Sequence, residues 1–267
     1  MITARNYAAE AEKQFTNYQV SNFVNDADYQ ANLKEILNTL NHGVHFALPD
    51  NGVIFNDNFK GMTNVPVKLP FERITIEFFT TNHYDKNISK IIIVAEQKLD
   101  EIIAHMLMFE KNKKVWVTSP CAFLTKSQVF DESFVFQTFD LSKDFSILAR
   151  SVKLRCGKTI ATHLCELLEA LSCKNVYTQA LEPFNHKKKN DKLVKAGKLP
   201  LYETKILVVD SSVKIVDKTD LGGTHASPRQ HLRRGHIRRY ATYSIWINNM
   251  VIGKASNGKI DKSYAVK

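Results

Sequence analysis

Apolar residues recur at helical spacing in two stretches of the chain, 27–40 and 157–172. In the first stretch Leu33 and Ile36 share one face, and Gly43 follows as a residue of the kind that ends helices. The second stretch has the longer apolar stripe, so it predicts a helix that packs across a sheet. Its repeating apolar positions are Ile160, Leu164, Leu167, Leu168 and Leu171.

Before the second helix the pattern changes to short alternating or β-branched runs, which are typical of strands. Two of these runs, 102–110 and 114–120, flank a polar Lys-Asn-Lys turn and predict a hairpin. The other strands of this region are predicted at 73–79, 90–96 and 134–139. Because the connections are short, the pattern indicates an antiparallel meander.

The region after the second helix begins with a polar run, 182–200, that contains six lysines and two prolines. This composition predicts an exposed loop. A Ser-Ser turn is predicted after the first of the following strands, and an Asn-Gly turn after the last. Those strands are predicted at 203–210, 213–217, 242–248 and 250–253.

These elements together predict an α+β protein with mostly antiparallel sheet or sheets and a few packed helices. We divide the chain into a helical and irregular segment over 1–70, strands plus a helix over 71–181, and C-terminal strands over 201–267. The first segment ends in a stretch rich in proline and glycine, 49–70. The three segments can also form one continuous domain.

Composition favours a folded protein that binds an anion. The 267 residues are 44% hydrophobic, and the formal net charge of +10 favours anionic partners. No apolar run reaches the roughly 18 residues of a membrane span, and the polar N-terminus lacks the apolar core of a signal peptide. We therefore expect a cytoplasmic protein with no membrane partner.

The four cysteines have no zinc-binding spacing. Cys165 and Cys173 follow a helical apolar pattern, so we expect both to be small buried hydrophobic residues. Reduced thiols agree with a cytoplasmic location. The sequence predicts no metal and no cofactor.

The segment GGTHASPRQHLRRGHIRRY, residues 222–240, concentrates positive charge without a single carboxylate. It holds five of the nine arginines of the chain. These arginines repel one another, so either an anion or carboxylates elsewhere in the fold must gather them. We expect the arginines and the Gly-Gly-Thr backbone to bind phosphate. The predicted phosphate-binding residues are Arg229, Arg233, Arg234, Arg238, Gly222, Gly223 and Thr224.

Three histidines of the same segment suit proton transfer, because the ordinary pKa of an imidazole lies near neutrality. We predict that His231 and His236 are an acid–base pair, with His225 as a third candidate. One would take a proton from an attacking hydroxyl and the other would protonate the leaving oxygen, without metal. The two histidines are five positions apart in the sequence, so they meet only if Gly235 forms a bulge or turn.

Four other residues have two interpretations each. Glu77, between apolar neighbours in a strand, is either a salt-bridge partner of the arginines or a general base. Tyr240 and Tyr243 either stack on a base or pack on the sheet. His163 lies within the second helix, as a surface or core residue.

The C-terminal sequence resembles a family of uncharacterised phage and prophage proteins. The resemblance rests on GGTHASPRQHLRRGHIRR, residues 222–239, and on a later set of positions. LPFERITIEF, residues 69–78, is similar to the middle segment of that family. The resemblance implies a phage-encoded protein and implies no particular activity. The later matching positions are Trp246, Val251, Gly253, Gly258, Lys262 and Tyr264.

The sequence thus predicts a phage-encoded protein that acts on a phosphodiester or nucleotide in the cytoplasm of an infected bacterium. The first hypothesis is a metal-independent nuclease or phosphodiesterase acting on RNA or on a cyclic or signalling nucleotide. The expected anionic partner is RNA, DNA or a signalling nucleotide. The second is a binding protein that sequesters a nucleotide, coats nucleic acid or blocks a host defence protein. The third is a virion or assembly component. A host-protein partner and a homo-oligomer both stay open.

Overall fold

The computed structural model of the protein describes most of the chain. The described residues are 6–18, 27–54, 68–81, 88–99, 101–119, 121–126, 136–140, 150–181, 186–197, 202–210, 229–233, 236–247, 250–252 and 254–259. The helices are α1 (Tyr7–Tyr18), α2 (Ala27–His42), α3 (Arg150–Leu171) and α4 (His186–Lys195), with a short 3₁₀ helix at Asp50–Gly52.

The strands of the first two thirds of the chain belong to one sheet. They are β1 (Val44–Ala47), β2 (Arg73–Thr81), β3 (Ile88–Lys98), β4 (Glu101–Glu110), β5 (Val115–Thr118), β6 (Cys121–Lys126) and β7 (Phe136–Asp140). The later strands are β8 (Val176–Ala180), β9 (Thr204–Val209), β10 (Arg229–Arg233), β11 (His236–Arg239), β12 (Ser244–Ile247), β13 (Met250–Ile252) and β14 (Lys254–Lys259).

The main sheet has nine strands in the order β7-β6-β4-β3-β2-β1-β9-β8, with β5 paired to β4. Strand β1 runs parallel to β2 and β9, and the other pairs of this sheet are antiparallel. This confirms the predicted α+β class with a mostly antiparallel sheet. The sheet takes strands from all three segments into which we divided the sequence.

Helices cover both faces of the main sheet. Successive side chains of a strand point to opposite faces, and β3 shows the alternation clearly. Ile91 and Ile93 pack into the core under α3, whereas Ile92 and Val94 pack into the core under α1 and α2. The predicted packing of the second helix across the sheet is confirmed.

Several predicted elements are confirmed with shifted ends. The helix predicted over 157–172 begins at Arg150, and the helix predicted over 27–40 extends to His42. Gly43 follows the last residue of α2, as predicted. A side chain does not fit at this position, because a Cβ would lie 2.5 Å from the carbonyl oxygen of Thr39. The predicted hairpin is the β4–β5 pair.

Two local predictions are wrong. The run 182–200 contains α4, a helix with no apolar stripe long enough to show in the sequence. Asn257 and Gly258 lie inside β14 rather than between two strands, at an irregularity where the register of β14 with β10 shifts between Lys254 and Lys259. The strand predicted over 213–217 and the Ser-Ser turn lie outside the described residues.

Candidate functional site

The arginine- and histidine-rich segment contributes two strands. Arg229, His231 and Arg233 lie on β10, and His236 and Arg238 lie on β11. The remaining predicted site residues fall outside the described part of the chain. They are Gly222, Gly223, Thr224, His225 and Arg234. The predicted acid–base role of the histidines stays a prediction.

Strands β10 and β11 share one antiparallel register with the strands that follow. His231 lies opposite Ile252, and His236 lies opposite Ile247. His236 is five residues after His231, and its partner Ile247 is five residues before Ile252, so both pairs fit the same antiparallel register. The two ladders, β10–β13 and β11–β12, are consecutive parts of one hairpin register, which we call the C-terminal hairpin.

Asn175, in the turn after α3, attaches the C-terminal hairpin to the main domain. Its side-chain Oδ1 accepts a hydrogen bond from the backbone N–H of Trp246 at 2.8 Å, and its Nδ2 donates to the carbonyl oxygen of Trp246 at 2.7 Å. The side-chain amide of Asn175 thus makes with the backbone of Trp246 the two hydrogen bonds that a residue of a neighbouring strand would make. Lys174 N–H adds a bond to the carbonyl oxygen of Ser244 at 3.0 Å.

Replacing Asn175 by Asp tests this attachment. The carboxylate keeps the shape but has no N–H, so an anionic oxygen would face the carbonyl oxygen of Trp246. We expect the free energy of unfolding to fall by about 1–3 kcal/mol, the cost of an unsatisfied buried polar group. Chemical denaturation measures it, with Asp191→Asn on the exposed surface of α4 as the control. An unchanged stability would contradict the assigned role.

Arg239 pairs with a carboxylate of the fold. Its Nη2 contacts Oε1 of Glu169, near the end of α3. Glu169 is buried, whereas 44% of the Arg239 side chain is exposed. For this arginine the partner is a carboxylate of the fold rather than a bound anion, because a buried carboxylate needs a cationic partner. The contact also ties β11 to α3.

Two tyrosines at the end of the β11–β12 hairpin form a stack that ends in cations. Tyr240 and Tyr243 close the turn through a 2.7 Å backbone hydrogen bond, and their ring centroids are 4.6 Å apart. Lys174 Nζ lies 4.0 Å from the centroid of Tyr243. The guanidinium carbon of Arg238 lies 5.1 Å from the centroid of Tyr240. We call these four residues the cation column.

The two tyrosines stack on each other, and each also has a cation over its ring. Both interpretations of the tyrosines stay predictions. Cation–π attraction holds both charges in place. A base that stacked on either ring would compete with the cation over that ring. The column therefore brings two positive charges together at the end of the hairpin.

The described contacts of Glu77 lie at the start of α1, and its predicted pairing with the arginines stays a prediction. Its carboxylate accepts hydrogen bonds from the backbone N–H groups of Ala8 at 2.9 Å and Tyr7 at 3.3 Å. Those groups belong to the first turn of α1, where helix N–H groups have no partner within the helix. Glu77 thus satisfies the start of α1 and is stabilised there by the helix dipole.

His45 lies beside Glu77 in the same buried region. Its Nε2 is 3.1 Å from the carbonyl oxygen of Leu40, and its Nδ1 is 4.0 Å from Oε1 of Glu77. The ring stacks on Tyr202 with centroids 4.3 Å apart. Burial lowers the pKa of His45 to about 4, although the hydrogen bond to Leu40 opposes this change. The imidazole is therefore neutral at pH 7.

His163, on α3, is a core-contacting residue. Its ring centroid is 4.4 Å from that of Phe78, and burial lowers its pKa. Gly52 lies against it, and a Cβ on Gly52 would come within 2.9 Å of His163 Nδ1. Gly52 also has a φ of +69°, a conformation that favours glycine. These contacts are structural.

Three cysteines with described side chains lie in the core. Cys156, Cys165 and Cys173 are buried and have free thiols, as predicted for the last two. Burial raises the pKa of Cys165 to about 12 and that of Cys173 to about 11. A thiol with a raised pKa is a poor nucleophile.

Within the described residues, no three His, Cys, Asp or Glu side chains are grouped so that they could hold a metal ion. No helix in the described part of the chain has the length and hydropathy needed to cross a membrane. Comparison of the chain with protein-family models, curated proteins and solved structures finds no match.

Proposed function

We propose that the C-terminal hairpin binds the phosphate groups of a nucleic acid or nucleotide in the cytoplasm of a phage-infected bacterium. The observation that carries the proposal is the cation column. Two tyrosines hold the side chains of Lys174 and Arg238 in place, which lowers the entropy lost when these cations engage a phosphate. Arg229 and Arg233 lie on the neighbouring strand β10 of the same hairpin.

The character of the column favours contacts to phosphate over recognition of bases. Each tyrosine ring has a cation over it, and arginine matches a phosphate group with two parallel hydrogen bonds. Contacts of this kind give affinity and position but little sequence preference. We therefore propose a binding protein of broad sequence tolerance. The resemblance to phage proteins and the net charge of +10 support this choice.

Salt dependence of binding tests the proposal. Affinity for short single-stranded RNA, single-stranded DNA, duplex DNA and dinucleotides is measured at several salt concentrations. Each phosphate contact releases counterions, so Lys174→Ala and Arg238→Ala should each lower the slope of log affinity against log salt by about 1. Lys111→Ala removes one charge from the β4–β5 turn and is the matched control.

The same ligands separate binding from cleavage. His231→Asn and His236→Asn should leave affinity nearly unchanged, and wild type should release no product with or without EDTA. If wild type cleaves a ligand and each variant slows cleavage at least ~100-fold, the enzymatic hypothesis replaces the binding hypothesis. If none of the ligands binds, or if Lys111→Ala changes the slope as much as Lys174→Ala, the proposal is wrong.

A further inference from the structure

A cavity of about 50 Å³ lies between α2 and the main sheet, on the opposite face from α3. Most of that interface is apolar, with Leu33, Ile36 and Leu40 of α2 in the core. The cavity interrupts this packing. Since one water needs roughly 10–15 Å³ on the same measure, the space fits a molecule of a few heavy atoms. A nucleotide is too large for it.

His105 is the buried polar residue of the cavity wall. Only 4% of its surface is exposed, and its Nδ1 has no hydrogen-bond partner among the described residues. Buried polar atoms are nearly always paired in native proteins, so an unpaired imidazole nitrogen is an unexplained feature. Burial lowers the pKa of His105 to about 4, and the charge of Lys98 acts in the same direction. The ring is neutral at pH 7.

Two carboxylates at the mouth of the cavity already hold an ammonium group. Lys98 Nζ lies 3.4 Å from Glu35 Oε1 and 3.4 Å from Glu96 Oε2. Burial raises the pKa of Glu96, but Lys98, Arg73 and a hydrogen bond with the Glu35 side chain outweigh burial, so the net pKa is lowered. The Lys98 side chain is 42% exposed, so its ammonium can move into solvent. Its position shows where a cation is stabilised.

We infer that this cavity binds a short primary amine with a hydroxyl group, such as an amino alcohol. The ammonium of the ligand replaces that of Lys98 between Glu35 and Glu96. Its hydroxyl meets His105, and because a hydroxyl both donates and accepts, either tautomer of the ring is matched. Val94 and Ile103 line the space between, where the methylene groups lie. The inference is independent of the proposed function of the C-terminal hairpin.

The test uses 2-aminoethanol on the full chain, followed through the side-chain nitrogen resonances of His105. We expect a saturable shift with 2-aminoethanol and none with acetate or ethylene glycol at matched ionic strength. Lys98→Met removes the competing ammonium and should tighten binding roughly 2- to 5-fold, since a partly exposed ion pair is a weak competitor. Glu35→Gln should weaken binding by a similar factor.

Lys113→Met is the matched control, because Lys113 forms a similar surface ion pair, with Glu110, far from the cavity. It should leave binding unchanged. These substitutions are at exposed or half-exposed positions, so the fold does not depend on them. The inference is overturned if 2-aminoethanol gives no saturable shift in wild type or Lys98→Met. It is equally overturned if acetate or ethylene glycol gives the same response.

Discussion

Lowering the pH from 7.5 to 4.5 is expected to reduce the free energy of unfolding by several kcal/mol. Two buried histidines, His45 and His105, cause this effect, since burial lowers the pKa of each from 6.5 to about 4. One pKa unit corresponds to about 1.4 kcal/mol, so each histidine contributes about 3 kcal/mol. Small proteins are stable by only about 5–15 kcal/mol, so the loss is large.

The direction follows from proton binding. In the unfolded chain both imidazoles take up protons as the pH falls below 6.5, whereas in the folded protein they stay neutral until about pH 4. Protons therefore favour the unfolded state across this window. The contribution of the two histidines to the free energy of unfolding is complete above pH 6.5 and declines between pH 6.5 and pH 4. Below pH 4 these two groups cause no further decrease.

Urea unfolding at four pH values between 7.5 and 4.5 measures the effect. His105→Gln and His45→Gln should each flatten the pH dependence, even though each variant is less stable than wild type at pH 7.5. His42→Gln, at an exposed position at the end of α2, should keep the slope of wild type. Carboxylates contribute equally to all four proteins, so the comparison isolates the imidazoles.

A direct titration of the two histidines in wild type tests the same argument without any substitution that could prevent folding. In native wild type, the ring resonances of His45 and His105 should show no protonation down to about pH 5. Ring titration near pH 6.5 in the folded protein, or the same slope in all variants, would contradict the burial argument.

The parts of the fold that the sequence predicts are those in which a local pattern and the final packing agree. Strands β2 and β3 read as β-branched runs because both of their faces are buried under helices. Helix α3 presents one continuous apolar stripe to the sheet. In such elements the residues themselves indicate which faces are buried in the fold.

Other elements depend on residues far away in the sequence. Helix α1 buries a short apolar stripe of Ala8, Ala11 and Phe15, and its start is stabilised by Glu77, about seventy residues later. Strand β1 is four residues long and is held by parallel pairing on both sides. Helix α4 is polar almost throughout. None of these three elements is predicted above.

The candidate site also combines a feature that is visible in the local sequence with contacts from residues far away in the sequence. The charge of residues 222–240 is evident in the sequence, but the residues that hold the hairpin lie near the end of α3. Glu169 and Asn175 read there as ordinary helix and turn residues. The side chain of Lys174 completes the cation column from about sixty residues upstream. Only the fold brings these groups to the hairpin.

Replacing Glu77 by Leu is expected to lower the free energy of unfolding by about 3 kcal/mol. The substitution leaves the N–H groups of Tyr7 and Ala8 without their acceptor, and each unsatisfied buried donor costs about 1–3 kcal/mol. The gain from burying an extra apolar side chain offsets part of this cost. Glu77→Gln keeps one acceptor but loses the charge, so we expect a loss of about 2 kcal/mol.

Hydrogen exchange locates the effect. Both Glu77 variants should speed exchange of the α1 amides more than that of the α3 amides, because the lost bonds belong to the first turn of α1. Glu110→Gln is the matched control, since Glu110 forms only an exposed ion pair with Lys113. If Glu77→Leu matched wild type in stability, the start of α1 would not depend on this carboxylate. If instead exchange rose equally in α1 and α3, Glu77 would support the sheet as a whole, and its buried charge would stabilise the fold through contacts other than the helix start.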